Sequence, residues 1–405
     1  MTKSSGLLAH RAMKPSSRAA VPPFAVMSIL NRVAQLRAQG REVISLCAGE
    51  PSQGAPSDVR RRAEQLMVDR TPLGYTETFG IRPLRREIAA HYRRWYSLEV
   101  DEDQIALTTG SSGAFLLGFL AAFDHGDRVV LTRPGYPAYR NILASLGCEV
   151  VELACGPTER FQPSVKMVEQ AHAAAPLAGL VVASPANPTG TMIVPDHLAE
   201  LAAWCRDHEV RLVSDEIYHG ITDHTIAASC AWEHDREAIV ISSFSKYWGM
   251  TGWRLGWSLV PADLLVAFDA LAGNFTLCPP VPAQHAAIAA FTDESYREAD
   301  AGVAAFADAR AIVLDAIDDL GWSGVAPADG AFYVYAGIAD QLGPHPDSES
   351  WCEALLEEHG VALTPGTDFD QRDGGTAVRV SLAAGPEAVA AALIRILRFQ
   401  QSLKT

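Results

Sequence analysis

From about residue 80 to residue 260, short β-branched and apolar runs alternate with stretches that repeat apolar residues at helical spacing. The runs are Gln104–Thr108, Arg128–Leu131, Glu149–Glu152, Gly179–Ala183, Arg211–Ser214 and Ala238–Ser242. Such alternation predicts βαβ units, and therefore a mainly parallel sheet covered by helices. Upstream, residues 24–40 read as an amphipathic helix that ends near Gly40, followed by a strand-like Glu42–Cys47. Beyond about residue 290 come a long helical stretch, strand-like Phe332–Tyr335 and Ala377–Leu382, and a C-terminal helix. The expected architecture is α/β: a large domain over 50–290, with 1–49 and 291–405 forming an N-terminal arm and a smaller α+β domain.

Composition narrows this picture more than it extends it. A chain of 405 residues has room for a large core and two domains. With 48% hydrophobic and 20% charged residues it reads as an ordinary soluble globular protein. A formal net charge of −15 argues against nucleic acid as a partner, because phosphate backbones select basic surfaces. The longest apolar stretch, Gly113–Phe123, is too short to span a bilayer, so no membrane is expected. The cysteines at 47, 148, 155, 205, 230, 278 and 352 are dispersed and form no Cys-x-x-Cys pair. That pattern fits a reducing compartment, the cytoplasm, rather than a disulfide framework or a zinc site, and no metal is expected. The first twenty residues are basic, Ser-rich and acid-poor like a transit peptide, but they lack an apolar signal core and read as a floppy arm.

The candidate chemistry gathers where the strands end. In open parallel sheets ligands bind beyond the carboxyl ends of the strands. Five suggestive segments fall there: Gly110–Gly113, Arg133–Tyr139, Ser184–Gly190, Asp215–Tyr218 and Ser243–Lys246. In the last, Lys246 sits among serines and aromatic residues, with Arg254 further on. Hydroxyls and a guanidinium suit a phosphate, and a lysine in a semi-apolar setting can lose its proton and attack a carbonyl. A lysine beside a phosphate site is what a pyridoxal phosphate enzyme needs. Asp215, directly after a buried run, is placed to hold a pyridine nitrogen protonated, and Tyr218 to donate to the ring hydroxyl; a helix N-cap is the other use of such an aspartate. Thr109–Gly113 opens an apolar helix beginning near Ala114, and small residues at a helix N-terminus leave amides free for an anion. Arg379 lies within a strand-like run, where a charge is expensive unless paired.

The segment Ser242–Trp257, with Lys246 and the run Met-Thr-Gly-Trp-Arg-Leu-Gly, closely resembles the cofactor-lysine signature of class I/II, fold-type I aminotransferases. Further motifs follow in family order from about Pro22 to the C-terminus. The resemblance implies an aspartate aminotransferase-like fold and pyridoxal 5′-phosphate as cofactor. It implies that Lys246 forms the Schiff base with the cofactor, and that Arg254, Ser243, Ser245, Ser111 and Ser112 bind its phosphate. Asn187 of Asn-Pro-Thr-Gly would bond the ring oxygen, and Tyr136 would stack on the ring. Asp215 and Tyr218 keep the roles given above. Arg379 would clamp the substrate carboxylate beneath the turn at Gly49, with Asn187 alongside. Tyr75 would reach the phosphate of a neighbouring subunit, which implies a homodimer with shared active sites.

The implied activity is transfer of an amino group between an L-amino acid and a 2-oxo acid by a ping-pong mechanism, with Lys246, Asp215 and Tyr218 catalytic. A lyase or cyclase on the same scaffold is the alternative, since the cofactor also allows elimination. The helix Ala114–Phe123 offers no cation for a distal carboxylate, and Gly273–Pro280 is less polar than a dicarboxylate site suggests. These features lean toward a neutral or branched substrate, with aspartate the other candidate. The family's Pro-Gly-Ser/Thr-x-Phe-Gly pattern stands here as Pro365-Gly366-Thr367-Asp368-Phe369-Asp370, so Asp368 and Asp370 are expected to reshape the small-domain lid.

Overall fold

A computed structural model describes residues 14–404; the first part of the basic arm lies outside the described residues. Strand β1 (Ile44–Ser45) leads into a seven-stranded sheet made of β2 (Ile105–Thr108), β3 (Arg128–Arg133), β4 (Glu149–Ala154), β5 (Gly179–Ala183), β6 (Arg211–Asp215), β7 (Ile239–Ser243) and β8 (Gly256–Leu259). Its order is β2-β8-β7-β6-β5-β3-β4. Strands β3 to β7 pair in parallel, and β8 alone runs against both of its neighbours.

The strands are apolar on both sides because both faces are covered. Val129, Leu131, Val181, Val213, Ile239 and Ile241 share one core with Phe115, Leu117 and Phe119 of the helix Gly110–Ala122. Their sequence neighbours Val130, Leu180, Val182, Leu212 and Val240 face the other core, with Leu198 and Leu201 of the helix Pro195–Asp207. The period of two in a pleated strand sorts one apolar run onto two helical layers.

The remaining strands are β9 (Tyr333–Gly337), β10 (Val361–Ala362), β11 (Thr364–Pro365) and β12 (Ala377–Ser381). β12 lies between β11 and β9, both antiparallel to it, and pairs Arg379 with Thr364 on one side and Tyr335 on the other. β1 pairs in parallel with β10, tying the segment after the first long helix, Ala25–Ala38, to the C-terminal third. The expected strand Glu42–Cys47 shrinks to these two residues. The expected helix start near Ala114 moves back to Gly110. Among the described residues no helix is long and apolar enough to cross a membrane.

Candidate active site

The carboxyl ends of β5, β6 and β7 open on a cavity of about 290 Å³, closed from the other side by Gly49, Tyr333 and Arg379. Of the residues singled out in the sequence, Gly49, Ser111, Ser112, Tyr136, Asn187, Asp215, Tyr218, Ser245, Lys246, Arg254 and Arg379 line it. Ser243 and Tyr75 do not. Ser243 is buried and donates to the Leu255 carbonyl at 3.1 Å, while its oxygen accepts the amide of Ser245 at 3.0 Å. Tyr75 is 84% exposed on this chain.

Asp215 is the last residue of β6, flanked in register by Ala183 and Ile241, so two neighbouring strands fix its backbone. Its Oδ1 accepts the Ile217 amide at 3.1 Å, and its Oδ2 accepts the Tyr139 hydroxyl in a short hydrogen bond. Burial pushes the carboxyl up to about 6, although those bonds and the nearby Lys246 favour its charged form. The local Asx turn and a cavity-facing carboxylate therefore coexist in one residue.

Lys246 follows β7, and its Nζ donates to the Gly49 carbonyl at 2.5 Å. The rings of Tyr218 and Phe332 stand 5.5 and 5.9 Å from it. Burial, with the Arg379 charge adding to it, lowers its pKa to about 8. A lysine so placed presents a substantial neutral fraction to an electrophile. The Tyr218 hydroxyl shares a 2.8 Å hydrogen bond with that of Tyr333, and burial raises both phenols.

Serines and a guanidinium meet at the other end. Arg254 has left-handed backbone, φ 50°, and donates Nη1 to the Thr251 carbonyl at 2.8 Å. A Cβ on Gly110 (φ 67°) would lie 2.6 Å from Arg254 Nη2, so the guanidinium rests on the bare backbone at the start of the helix Gly110–Ala122. Gly256 in β8 is equally constrained, since its Cβ would fall 2.9 Å from the Ser111 amide nitrogen. Helix N-terminus, hydroxyls and cation together form an anion cradle.

Arg379 is 4% exposed in the centre of the three-stranded sheet. It donates to Asn187 Oδ1 at 2.8 Å, the Cys47 carbonyl at 2.8 Å and Thr364 Oγ1 at 3.3 Å. Its Nε has no hydrogen-bond partner, and among the described residues no carboxylate pairs with it. Tyr333 and Phe369 sandwich the guanidinium at 4.3 and 4.7 Å. A buried, aligned guanidinium with donor capacity to spare suits a planar carboxylate from a ligand.

The sequence reading missed Tyr139, Tyr333, Thr251 and the apolar lining supplied by Phe24, Val26, Met27, Phe115 and Ile142. Tyr139 had a signal: it follows Tyr136 one helical turn later in Pro-Gly-Tyr-Pro-Ala-Tyr. Asp368 and Asp370, expected to reshape a lid, both make long-range bonds. Asp368 accepts the Ala25 amide at 3.0 Å, and Asp370 pairs with Arg133 at 3.0 Å.

A cradle suited to an anion, a buried carboxylate, a lysine of lowered pKa and a buried guanidinium thus share one cavity. Residues 41–397 match the family model described as aminotransferase class I and II. The chain is 50% identical over 380 residues to the valine–pyruvate aminotransferase of Mycobacterium tuberculosis, covering 94% of this chain and 96% of that one. It is 33% identical to the aspartate/prephenate aminotransferase of Thermus thermophilus over 94% of this chain and 96% of that one. A crystal structure of an aminotransferase from Mycobacterium tuberculosis superposes with a TM-score of 0.93 at 49% identity, covering 96% of this chain and all of that one. The chain belongs to the class I/II aminotransferases and has their aspartate aminotransferase-like fold. It is an enzyme that moves an amino group between an amino acid and a 2-oxo acid.

Proposed function

We propose that this aminotransferase works with pyridoxal 5′-phosphate on a neutral aliphatic amino acid and a small 2-oxo acid, as a cytoplasmic homodimer. The observation that carries the substrate reading is the cation inventory of the cavity. Lys246, Arg254 and Arg379 are the only Lys or Arg side chains in its described lining, and the site needs all three. None is left on this chain for a distal carboxylate, and the rest of its wall includes Phe24, Val26, Met27, Phe115 and Ile142. The relative at 50% identity, named for valine and pyruvate, points the same way.

The donor set fits the cofactor. The Ser111 and Ser112 amides and hydroxyls, Ser245 and Arg254 would hold its phosphate, with Ser243 steadying Ser245 from behind. Asp215 would face the ring nitrogen, Asn187 and Tyr218 the ring oxygen, and Tyr136 the ring face. When bound, the cofactor supplies an aldehyde for the amino group and a ring that withdraws charge from the substrate Cα. Asp215 would favour a proton on the ring nitrogen, and the hydrogen bond from Tyr139 holds its carboxylate in place. Arg379 and Asn187 orient the substrate carboxylate, placing the Cα hydrogen toward Lys246. Lys246 Nζ would be the general base for that Cα proton, and its lowered pKa suits it to give the proton up again rather than hold it. Tyr218 would donate its hydroxyl to the ring oxygen, and Tyr333 braces it at 2.8 Å.

We assign residues 50–290 to the cofactor-binding domain, and 1–49 with 291–405 to the arm and small domain. The pairing of β1 with β10 and the bond from the Ser381 amide to the Leu46 carbonyl, 2.7 Å, support that grouping. All seven cysteines are free and six of them are buried, in keeping with a reducing compartment. A donor panel tests the substrate reading: valine, alanine, aspartate and an aromatic amino acid, each with 2-oxobutyrate, a small acceptor that is the oxo acid of none of them. Valine and alanine are expected to lead, and a clear preference for aspartate would reject the reading. As control, Lys246→Ala should abolish both turnover and the visible absorption of cofactor held on the lysine.

A further inference from the structure

The helix Ala25–Ala38 begins with amides that have no partner inside the helix. Its N-cap is Phe24, which has no side-chain oxygen, and its first turn contains no acidic residue. The missing acceptor comes from the far end of the chain: Asp368 Oδ1 takes the hydrogen bond of the Ala25 amide at 3.0 Å. A carboxylate there also meets the positive end of the helix dipole.

The residues around that bond belong to the cavity. Phe24, Val26 and Met27 all line it, and the Phe24 ring stacks on Tyr136 with centroids 6.1 Å apart and planes 22° from parallel. The turn carrying Asp368 is itself anchored. Asp370 accepts Arg133 Nη1 at 3.0 Å, the Phe369 carbonyl accepts the Gly135 amide at 3.0 Å, and the Phe369 ring packs on Arg379. Asp368 therefore joins the first turn of this helix to the strand end after β3 and to the carboxylate clamp.

We propose that Asp368 is a positioning residue for side-chain selection. By holding the first helical amide, it keeps the Phe24–Met27 wall pressed on the cavity, where it contacts a branched aliphatic substrate. This rests on the neutral-substrate reading above and goes beyond it by naming what holds the selecting surface. A hydrophobic wall rewards each added methyl group only while it stays in contact, and a helix start without its cap frays away from it. Valine has two more methyl groups' worth of carbon than alanine, so it draws more on the wall.

The test is steady-state kinetics of the cofactor-loaded enzyme with valine or alanine as donor and one oxo acid throughout. Asp368→Ala should lower the valine-over-alanine ratio of kcat/KM about tenfold, chiefly by raising KM for valine. Its visible cofactor absorption should be unchanged. Asp368→Asn keeps an Oδ1 acceptor and should retain most of the ratio. Phe24→Ala removes the wall without touching the pin and should lower the ratio in the same direction, which covers the case in which Asp368→Ala folds poorly. Equal losses for valine and alanine in Asp368→Ala, or an unchanged ratio in Phe24→Ala, would overturn the proposal. A wild-type enzyme that ignores neutral donors overturns the substrate reading itself, and the unmutated protein alone reports that outcome.

Discussion

Asp215 shows how the site trades stability for chemistry. Its carboxyl is buried, and its pKa rises from 3.8 to about 6. A group bound more tightly to its proton in the native state stabilises the fold below its unfolded pKa, and loses that contribution as pH rises through the folded value. At pH 7 the cofactor-free chain therefore carries a buried, ionised carboxylate at a cost of about 3 kcal/mol at most, from roughly two pKa units. Asp215→Asn should raise the stability of the cofactor-free protein by about 1–3 kcal/mol at pH 7, and the gain should vanish below about pH 4. Urea melts at the two pH values read this directly. Turnover should collapse in the same variant, because a neutral amide cannot hold a proton on the ring nitrogen. A variant no more stable than wild type at pH 7 would mean that the Tyr139 and Ile217 bonds already offset the burial.

The element scale explains which parts of the site were legible. Strands β3 to β7 lie between two helical layers, so the sequence shows them as apolar runs, and their ends fall within two residues of expectation. Only four residues long, β8 is interrupted by serine and begins with a glycine, so it has no such run. It was hidden inside the lysine signature, yet it sets how close Gly256 comes to Ser111. The motifs were readable because Lys246 and Asn187 sit in loops, and Asp215 at a strand end, in residue orders that are unusual. The Phe24–Met27 wall and Tyr333 were not, since contacts between distant segments leave no local pattern. Gly110 sits where these levels meet, with φ 67° and Arg254 Nη2 at 2.6 Å from where its Cβ would be. Gly110→Ala should push Arg254 off the cradle. Losing one charge-assisted contact is worth about 1.5–3 kcal/mol, so cofactor affinity should fall about 10- to 100-fold. Titration of pyridoxal phosphate into cofactor-free protein checks it, and an unchanged affinity would remove Arg254 from the phosphate site.

At the scale of the whole molecule, one part of the surface leaves apolar side chains without cover on this chain. Tyr75 is 84% exposed, Phe275 54% and Leu277 55%. Their segments adjoin: Gln284 donates to Thr76 Oγ1 at 3.3 Å and to the Pro279 carbonyl at 2.8 Å, and accepts the Ile81 amide at 2.9 Å. Leu277 is held at φ 63°, an unusual conformation for leucine that presents its side chain outward beside the Tyr75 segment. Grouped exposed aromatic and aliphatic residues are the mark of an interface. A second copy of the chain is the occupant proposed above, with Tyr75 reaching across it. If so, Leu277→Asp places a charge in that contact and should shift the enzyme from dimer to monomer in sedimentation, with activity that recovers as protein concentration rises. Tyr75→Phe should keep the dimer, because it removes only a hydroxyl, and should weaken cofactor binding about tenfold through one lost hydrogen bond to phosphate. The two variants separate assembly from ligand contact. A wild-type enzyme that sediments as a fully active monomer would reject both expectations, since no neighbouring phosphate would then be within reach of Tyr75.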